Sequence, residues 1–482
     1  MTETKKVVTR FAPSPTGFMH IGGVRTALFA YLYAKRNNGT FILRIEDTDK
    51  AREVEGSIEH IQESLKWLGI KWDIGPQNPG EFGTVIQSQR LDTYIKEAHK
   101  LIEKGLAYPD PYTVEELEAF RKKAEEERRP FLYRDHRPDT FEVWDGKKPL
   151  RLKVPEVKRY KWTDAVRGEL EAGPEALDDF VLIKADGYPT YNFAHIVDDY
   201  NMGVTHVMRG DEFISSTPKF LSLYDALGIP YPVFASLPPI LKEDRTKKLG
   251  KRDGAKDILE YRAEGYLPEA MVNFLALIGW NPGTEQEIFT KDELISIFDI
   301  DKIQKSGGAF NDDKLDWMNK EHMKKMNDDD IHNEIISRLS NHGINGDVNL
   351  LKKISKIVFE HISKWGDIDD MVREGELSFY FNSPEYDTSL LSWKGDSLEN
   401  SKKHLEWIKE KLTQSSVNDF DNPDAIKAIV FDYATENGRG NVLWPLRVSL
   451  SGKEKSPDPF TLLYILGKEE SLKRINDAVS KI

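Results

Sequence analysis

The chain opens with a strand-like run, a loop punctuated by proline and glycine, and a helical pattern, and few folds accept that order. Lys5 to Phe11, KKVVTRF, is β-branched and apolar, and it ends at APSPTGFMHIGG. VRTALFAYLYAKRN then carries apolar residues at helical spacing, and TFILRI at Thr40 to Ile45 reads as a second strand. EDTDKAREVEGSIEHIQESLKWLGI follows as a second helical pattern ending near Gly69. Strands alternating with helices predict a parallel α/β sheet of the Rossmann type, whose ligands gather beyond the carboxyl ends of the strands. Both loops just named lie at that edge.

With 482 residues, the chain is too long for one core and is expected to form about three domains. The first α/β half is expected over 1–107. From 108 to 187 the alternation is lost: TVEELEAFRKKAEEERR gives way to short strand-like pieces such as PLRLKVPE and DDFVLIKA, which predicts an inserted α+β unit. The α/β pattern returns over 188–241 with THVMRGDEFISS and TPKFLSLYDALG, so the sheet is split around the insertion. A basic loop and connecting region are expected over 242–320, and an all-α unit over 321–482, where LLKKISKIVFEHISKW and AIKAIVFDYATENG are helical.

Composition narrows the chemistry. Zero cysteines exclude disulfides, thiolate zinc sites and cysteine nucleophiles. The longest apolar runs, such as FLALIGW, fall well short of the roughly 20 residues that span a bilayer, so no membrane partner is expected. MTETKK lacks the apolar core of a secretory signal, which predicts a cytoplasmic protein. The net charge is -13, yet residues 121–170 hold 15 Lys or Arg against 10 Asp or Glu. An acidic chain with one basic region fits a polyanion held on one face, although a solvated surface has the same composition.

Several short motifs carry more chemistry. In SPTGFMHIGG the glycines let backbone approach a ligand, and the start of the next helix presents N–H groups that favour an anion; such a loop is also an ordinary turn. His20 is placed to donate to a phosphate there, and Gly22 leaves room for a ribose or adenine. RIEDTD sets Arg44, Glu46, Asp47 and Asp49 at a strand's end, where carboxylates hold an ammonium or simply begin a helix. Arg209 in VMRGDE suits a bidentate carboxylate, and Glu212 an amine or ribose. DRTKKLGKRDGAK, Asp244 to Lys256, packs six basic residues and two glycines into 13 positions, suited to charge developing on transferring phosphates.

Taken in order, RFAPSPTGFMHIGG, RIEDTD, YPTYNFAHIVDD, HVMRGDEF and KLGKRDG resemble a class I aminoacyl-tRNA synthetase, and the longer strings resemble its bacterial glutamyl-tRNA synthetase family. The likeness runs nearly end to end, through YLPEAMVNFLALIGWNPG, KSGGAFNDDKLDWMN and PLRVSLSG. HIGG is a variant of the family's HIGH motif, with Gly23 at the fourth position, and KLGKR of its KMSKS loop, with Gly250 at the third. The resemblance implies that ATP and L-glutamate form glutamyl-adenylate and pyrophosphate, and that glutamate then passes to the 3'-terminal adenosine of glutamate tRNA. It implies that Arg10, Ala12, Ser14, Glu46, Tyr191, His195 and Arg209 line the glutamate site, with Arg209 on the side-chain carboxylate and Glu46 on the ammonium. His20, Gly22, Glu212, Lys248, Lys251 and Arg252 are implied for ATP, with His20, Lys251 and Arg252 acting in the chemistry. ATP is expected to bring Mg²⁺ bound through its phosphates.

The inserted unit is implied to receive the acceptor end, the 242–320 region to touch the tRNA stem, and the helical unit to read the anticodon. AYPDPYTVEE stands where many relatives have a Cys/His zinc site, so no structural zinc is expected. His361 falls where relatives that reject glutamine tRNA carry arginine, so charging of glutamine tRNA is a further expectation. A monomer is expected. A glutaminyl-tRNA synthetase and an inactive tRNA-binding regulatory paralogue are the alternatives, the latter supported by Gly23 and Gly250. The short paralogue that modifies a tRNA base lacks the roughly 160 residues found here after Asn319.

Overall fold

The computed structural model describes residues 6–250 and 256–482 and divides into two compact units, Met1–His322 and Met323–Ile482. Lys251 and Arg252, assigned above to the phosphate chemistry, lie outside the described residues.

In the first unit β1 (Val8–Phe11), α1 (Ile21–Arg36) and β2 (Thr40–Leu43) follow one another as the hydrophobic period predicts, with α2 (Ser57–Trp67) and α3 (Leu91–Glu103) after them. α1 is buried on nearly every side, through Val24, Leu28, Phe29 and Leu32 among others, because it is covered by both β1 and later helices of the unit. Each such fully buried Leu or Phe contributes about 1.5–3 kcal/mol. Next come β3 (Ala107–Pro109), α4 (Val114–Glu126), β4 (Leu150–Leu152), β5 (Tyr160–Asp164), β6 (Gly168–Ala172), β7 (Val181–Ile183), α5 (Tyr191–Asn201), β8 (His206–Gly210), α6 (Thr217–Leu227) and β9 (Val233–Leu237). The main sheet runs β2-β1-β8-β9-β5-β6, parallel from β2 to β5, with β6 antiparallel at the edge.

The pleat of β1 shows how this sheet presents opposite chemistries on its two faces. Thr9 turns to α1, where its hydroxyl donates to the Ala30 carbonyl at 2.8 Å, and Phe11 joins the core on that side. Arg10, between them, turns to the opposite face and reaches Asp199 on α5. Strand β8 alternates likewise, with Met208 in the α1 core and Val207 in the core of α3, α5 and α6.

The stretch 108–187, expected as one inserted unit, divides between two sheets. Strands β3, β4 and β7 make a separate antiparallel sheet, whereas β5 and β6 extend the main one. The buried Asp164 carboxylate draws them in by accepting the Ser236 N–H at 3.0 Å as well as those of Val166 and Arg167. Alternation within YKWTD says only that one face is buried, not which sheet covers it.

Beyond β9, strands β10 (Ile240–Leu241) and β11 (Gly308–Ala309) pair in parallel, and α7 (Ile258–Ala263), α8 (Pro268–Leu277), α9 (Lys291–Ile297) and α10 (Asp312–Met323) complete the unit. The second unit is helical throughout, from α11 (Asp328–Asn341) and α12 (Val348–His361), through α13 (Gly366–Arg373), α14 (Ser378–Phe381), α15 (Leu398–Gln414) and α16 (Pro423–Glu436), to α17 (Arg439–Ser451) and α18 (Pro459–Lys481). α18 is broken at Gly467, whose φ of 73° and ψ of 174° only glycine adopts without strain. Among the described residues no helix is long and apolar enough to cross a membrane.

Candidate functional site

Three neighbouring parallel strands bring the candidate residues to one edge. Arg10 is near the end of β1, Glu46 lies three residues past β2, and Arg209 is near the end of β8. Backbone hydrogen bonds hold the loop after β1 against the segment after β2: Arg44 N–H donates to Phe11 O, and Glu46 N–H to Pro13 O, both at 3.0 Å. Ala12 is fixed between those two anchors, and Ser14 beyond them is exposed.

Behind this edge lies a buried ionic network. Asp199 accepts from Arg10 Nε at 3.1 Å and from Arg44 Nη1 at 2.7 Å. Arg44 also holds Glu46 at 2.8 Å, and Arg90 holds Asp198 at 2.9 Å, where Tyr94 and Gln87 add hydrogen bonds. Burial opposes ionisation of Asp199, but the guanidiniums of Arg10 and Arg44 win and bring its pKa down to about 2. Arg44 is held well above its usual pKa because Asp199, Glu46 and Asp198 outweigh the burial that opposes its charge. Burial raises the Glu46 carboxyl above its ordinary range, against the pull of Arg44 and Arg10.

Arg209 is different. Its Nη2 donates to Thr217 Oγ1 at 3.2 Å, while its buried Nη1 has no hydrogen-bond partner among the described residues. Phe213, Phe220 and Phe234 surround the guanidinium at 4.7–5.4 Å from their ring centres. Burial lowers its pKa accordingly. Four buried guanidiniums, Arg10, Arg44, Arg90 and Arg209, thus face three buried carboxylates, Glu46, Asp198 and Asp199. The set is one negative charge short, and a buried charge without a partner favours an incoming counter-ion.

Tyr191 and His195, one helical turn apart on α5, stack at 4.6 Å. His195 Nδ1 lies 2.7 Å from the Tyr191 carbonyl, which can only accept, so this nitrogen carries the proton. Burial pushes the ring's pKa down to about 3, so it is neutral. Burial, with the field of Glu46 added, pushes Tyr191 up to about 12. Of the other acids in RIEDTD, Asp47 is occupied by Ser88 and Lys50, and Asp49 is paired with Arg52.

The glycine loop forms a second part of the site. His20 caps α1, its Nδ1 accepting from the Gly22 N–H at 3.1 Å. A Cβ on Gly22 would come within 3.0 Å of the His20 ring, so glycine there preserves the cap. Ser14, Phe18, His20 and Gly23 line a cavity of about 350 Å³. The described part of the basic stretch is a turn in which Leu249 N–H bonds Ile240 O and Arg245 takes a positive φ of 57°. Lys248 lies 3.8 Å from Glu212, both exposed, and Lys256 pairs with Glu264.

In the second unit His361 borders a separate cavity of about 630 Å³ with Phe379, Tyr380, Lys453 and Pro457. Sequence reasoning missed Asp198, Asp199 and Thr217. The signal for the two acids was present, since VDD sits on a helix whose neighbours Phe193, Ile196 and Val197 are apolar and buried.

Comparison with known proteins bears on the whole chain. Residues 6–317 match the family described as "tRNA synthetases class I (E and Q), catalytic domain", and residues 320–479 match "Anticodon binding domain". Glutamate–tRNA ligases of Clostridium botulinum and Clostridium kluyveri are each 41% identical, over 99% of this chain and 99% and 98% of theirs. A crystal structure of a glutamate tRNA ligase from Elizabethkingia meningosepticum, in complex with its amino acid, superposes with a TM-score of 0.88 at 35% identity, covering 98% of this chain and 99% of that one.

Proposed function

The chain belongs to the class I tRNA synthetase family for E and Q and is an enzyme of that type, and on that premise we propose that it ligates L-glutamate to glutamate tRNA. The observation that carries the choice of amino acid is Arg209: a buried guanidinium with an unpartnered nitrogen in an ionic set one negative charge short. Glutamate carries a net charge of about -1 at neutral pH and would complete that balance, whereas glutamine, neutral overall, would not. Its side-chain carboxylate pairs with Arg209 in a charge-assisted hydrogen bond, and its ammonium lies toward Glu46.

ATP occupies the cavity lined by His20 and Gly23 at the start of α1, where the helix N-terminus favours phosphate. An oxygen of the glutamate α-carboxylate attacks the α-phosphorus, the bond to the β-phosphate oxygen breaks, and pyrophosphate leaves. A hydroxyl of the tRNA's terminal adenosine then attacks the adenylate carbonyl, and AMP leaves. The protein supplies position and fixed charge for both steps, with no covalent enzyme intermediate. Lys248 and Glu212, exposed and 3.8 Å apart, are proposed for ATP, and Lys251 and Arg252 for its phosphates, on the sequence motifs alone. Among the described residues no group of three His, Asp or Glu is arranged to hold a metal, so Mg²⁺ would be held by the phosphates it neutralises.

Pyrophosphate exchange dependent on both glutamate and tRNA tests this reading, and exchange with glutamine in preference to glutamate would overturn it. The position of His361 on the wall of the second unit's cavity supports a place for a splayed anticodon base there, and with it charging of glutamine tRNA as well. Separate charging assays of the two transcripts decide that, with His361→Arg expected to depress glutamine tRNA selectively.

A further inference from the structure

The His60 ring on α2 joins this helix to the Phe18–Met19 turn and to Asp257. Its Nδ1 accepts the Met19 N–H at 3.3 Å, so the proton resides on Nε2, which donates to Asp257 at 2.7–2.8 Å from both carboxylate oxygens. Its face stacks on Phe18 at 4.6 Å with the planes 19° apart. Asp257 in turn caps α7 by accepting the Leu259 N–H at 2.8 Å, and Ile258 N–H returns to Met19 O at 3.0 Å. Phe18 is 49% exposed, its ring stacks on this histidine, and it borders the cavity together with His20.

From this geometry we infer that His60 is a positioning residue for the ATP step, an inference that rests on the function proposed above. One imidazole fixes the Phe18–His20 turn from α2 and ties it to Asp257 at the start of α7. Without it, Met19 loses its acceptor and Phe18 its stacking partner, and the His20 side of the cavity loses definition. Of the glutamate candidates, Arg10 hangs on Asp199 and Arg209 on Thr217 instead, so the geometry of these two is independent of His60. A displacement of about an ångström in a positioned group costs about a hundredfold in rate, which sets the scale of effect to look for.

The experiment is pyrophosphate exchange with tRNA present, comparing wild type, His60→Ala, His60→Gln and Phe18→Ala, with a thermal midpoint for each. His60→Ala is expected to lower kcat/KM for ATP by about tenfold or more while leaving the glutamate KM within about twofold. His60→Gln, which keeps a donor to Asp257, recovers part of the loss. The double variant with Phe18→Ala is no worse than the poorer single one, because both act through one turn. Unchanged ATP kinetics in His60→Ala, or equal losses for ATP and glutamate accompanied by a lower thermal midpoint, overturn the inference. Wild type that exchanges no pyrophosphate with glutamate overturns the proposed function itself, a separate result.

Discussion

Arg209 donates to Thr217 across 3.2 Å with one terminal nitrogen and leaves the other buried with no partner among the described residues. A charge kept this way destabilises the empty protein and strengthens the loaded one. Arg209→Met, which fills similar volume without the charge, is therefore expected to raise unfolding free energy by about 1–2 kcal/mol. The same variant should lower glutamate-dependent pyrophosphate exchange by about two orders of magnitude, since the site then lacks the partner of the carboxylate. Denaturant unfolding and exchange kinetics on one preparation read both effects, and a variant that loses stability along with activity contradicts the assignment.

Asp199 makes the opposite case. Its carboxylate, with a pKa of about 2, serves Arg10 at 3.1 Å and Arg44 at 2.7 Å. Asp199→Asn would leave two buried guanidiniums without that charge and is expected to cost about 3–5 kcal/mol of stability. Urea unfolding at neutral pH measures it, and a loss below about 1 kcal/mol would mean that Glu46 and Asp198 suffice.

Much of this site could be seen in the sequence, and what could not has a common cause. Arg10, Glu46 and Arg209 stand at the ends of runs whose period marks them as parallel strands, so their convergence follows from the fold class. The partners that give them meaning come from elsewhere in the chain. Asp199 lies 189 residues from Arg10, and His60 lies 197 from Asp257, with no local pattern linking either pair. Hydrophobic period reports which side of an element is buried, and it is silent about which distant polar group waits there. The departure of β5 and β6 to the main sheet has the same origin, because Asp164 meets Ser236 only in three dimensions.

His195 predicts a pH dependence. Its folded pKa of about 3 lies below the ordinary 6.5, so in the interval between them the unfolded chain binds a proton that the folded one excludes. Its contribution to stability is therefore complete above pH 6.5 and is lost as pH falls toward about 3. His195→Gln removes the titrating ring and should flatten the acid limb by about 1.4 kcal/mol per pH unit relative to wild type. Unfolding free energies measured from neutral pH down to about pH 4 test this, and parallel curves for the two proteins would show the ring to be charged in the fold.

Gly22 and Gly23 are adjacent in α1 and should respond differently to alanine. A Cβ on Gly22 meets the His20 ring at 3.0–3.1 Å, against the nitrogen that accepts the Gly22 N–H, whereas one on Gly23 meets only Phe11 at 3.9 Å. Alanine at 23 gains the usual advantage over glycine in a helix, about 0.5–1 kcal/mol. At 22 that gain is offset by displacement of the cap, whose loss costs about 1 kcal/mol. Both positions are helical with ordinary φ, so the contrast measures contact rather than backbone strain. Gly23 also borders the cavity, so Gly23→Ala should stabilise the fold while raising the ATP KM, and Gly22→Ala should lower kcat through His20. Unchanged ATP kinetics in both variants would show that the His20 cap plays no part in binding ATP, and that the space above Gly23 is not where the nucleotide lies.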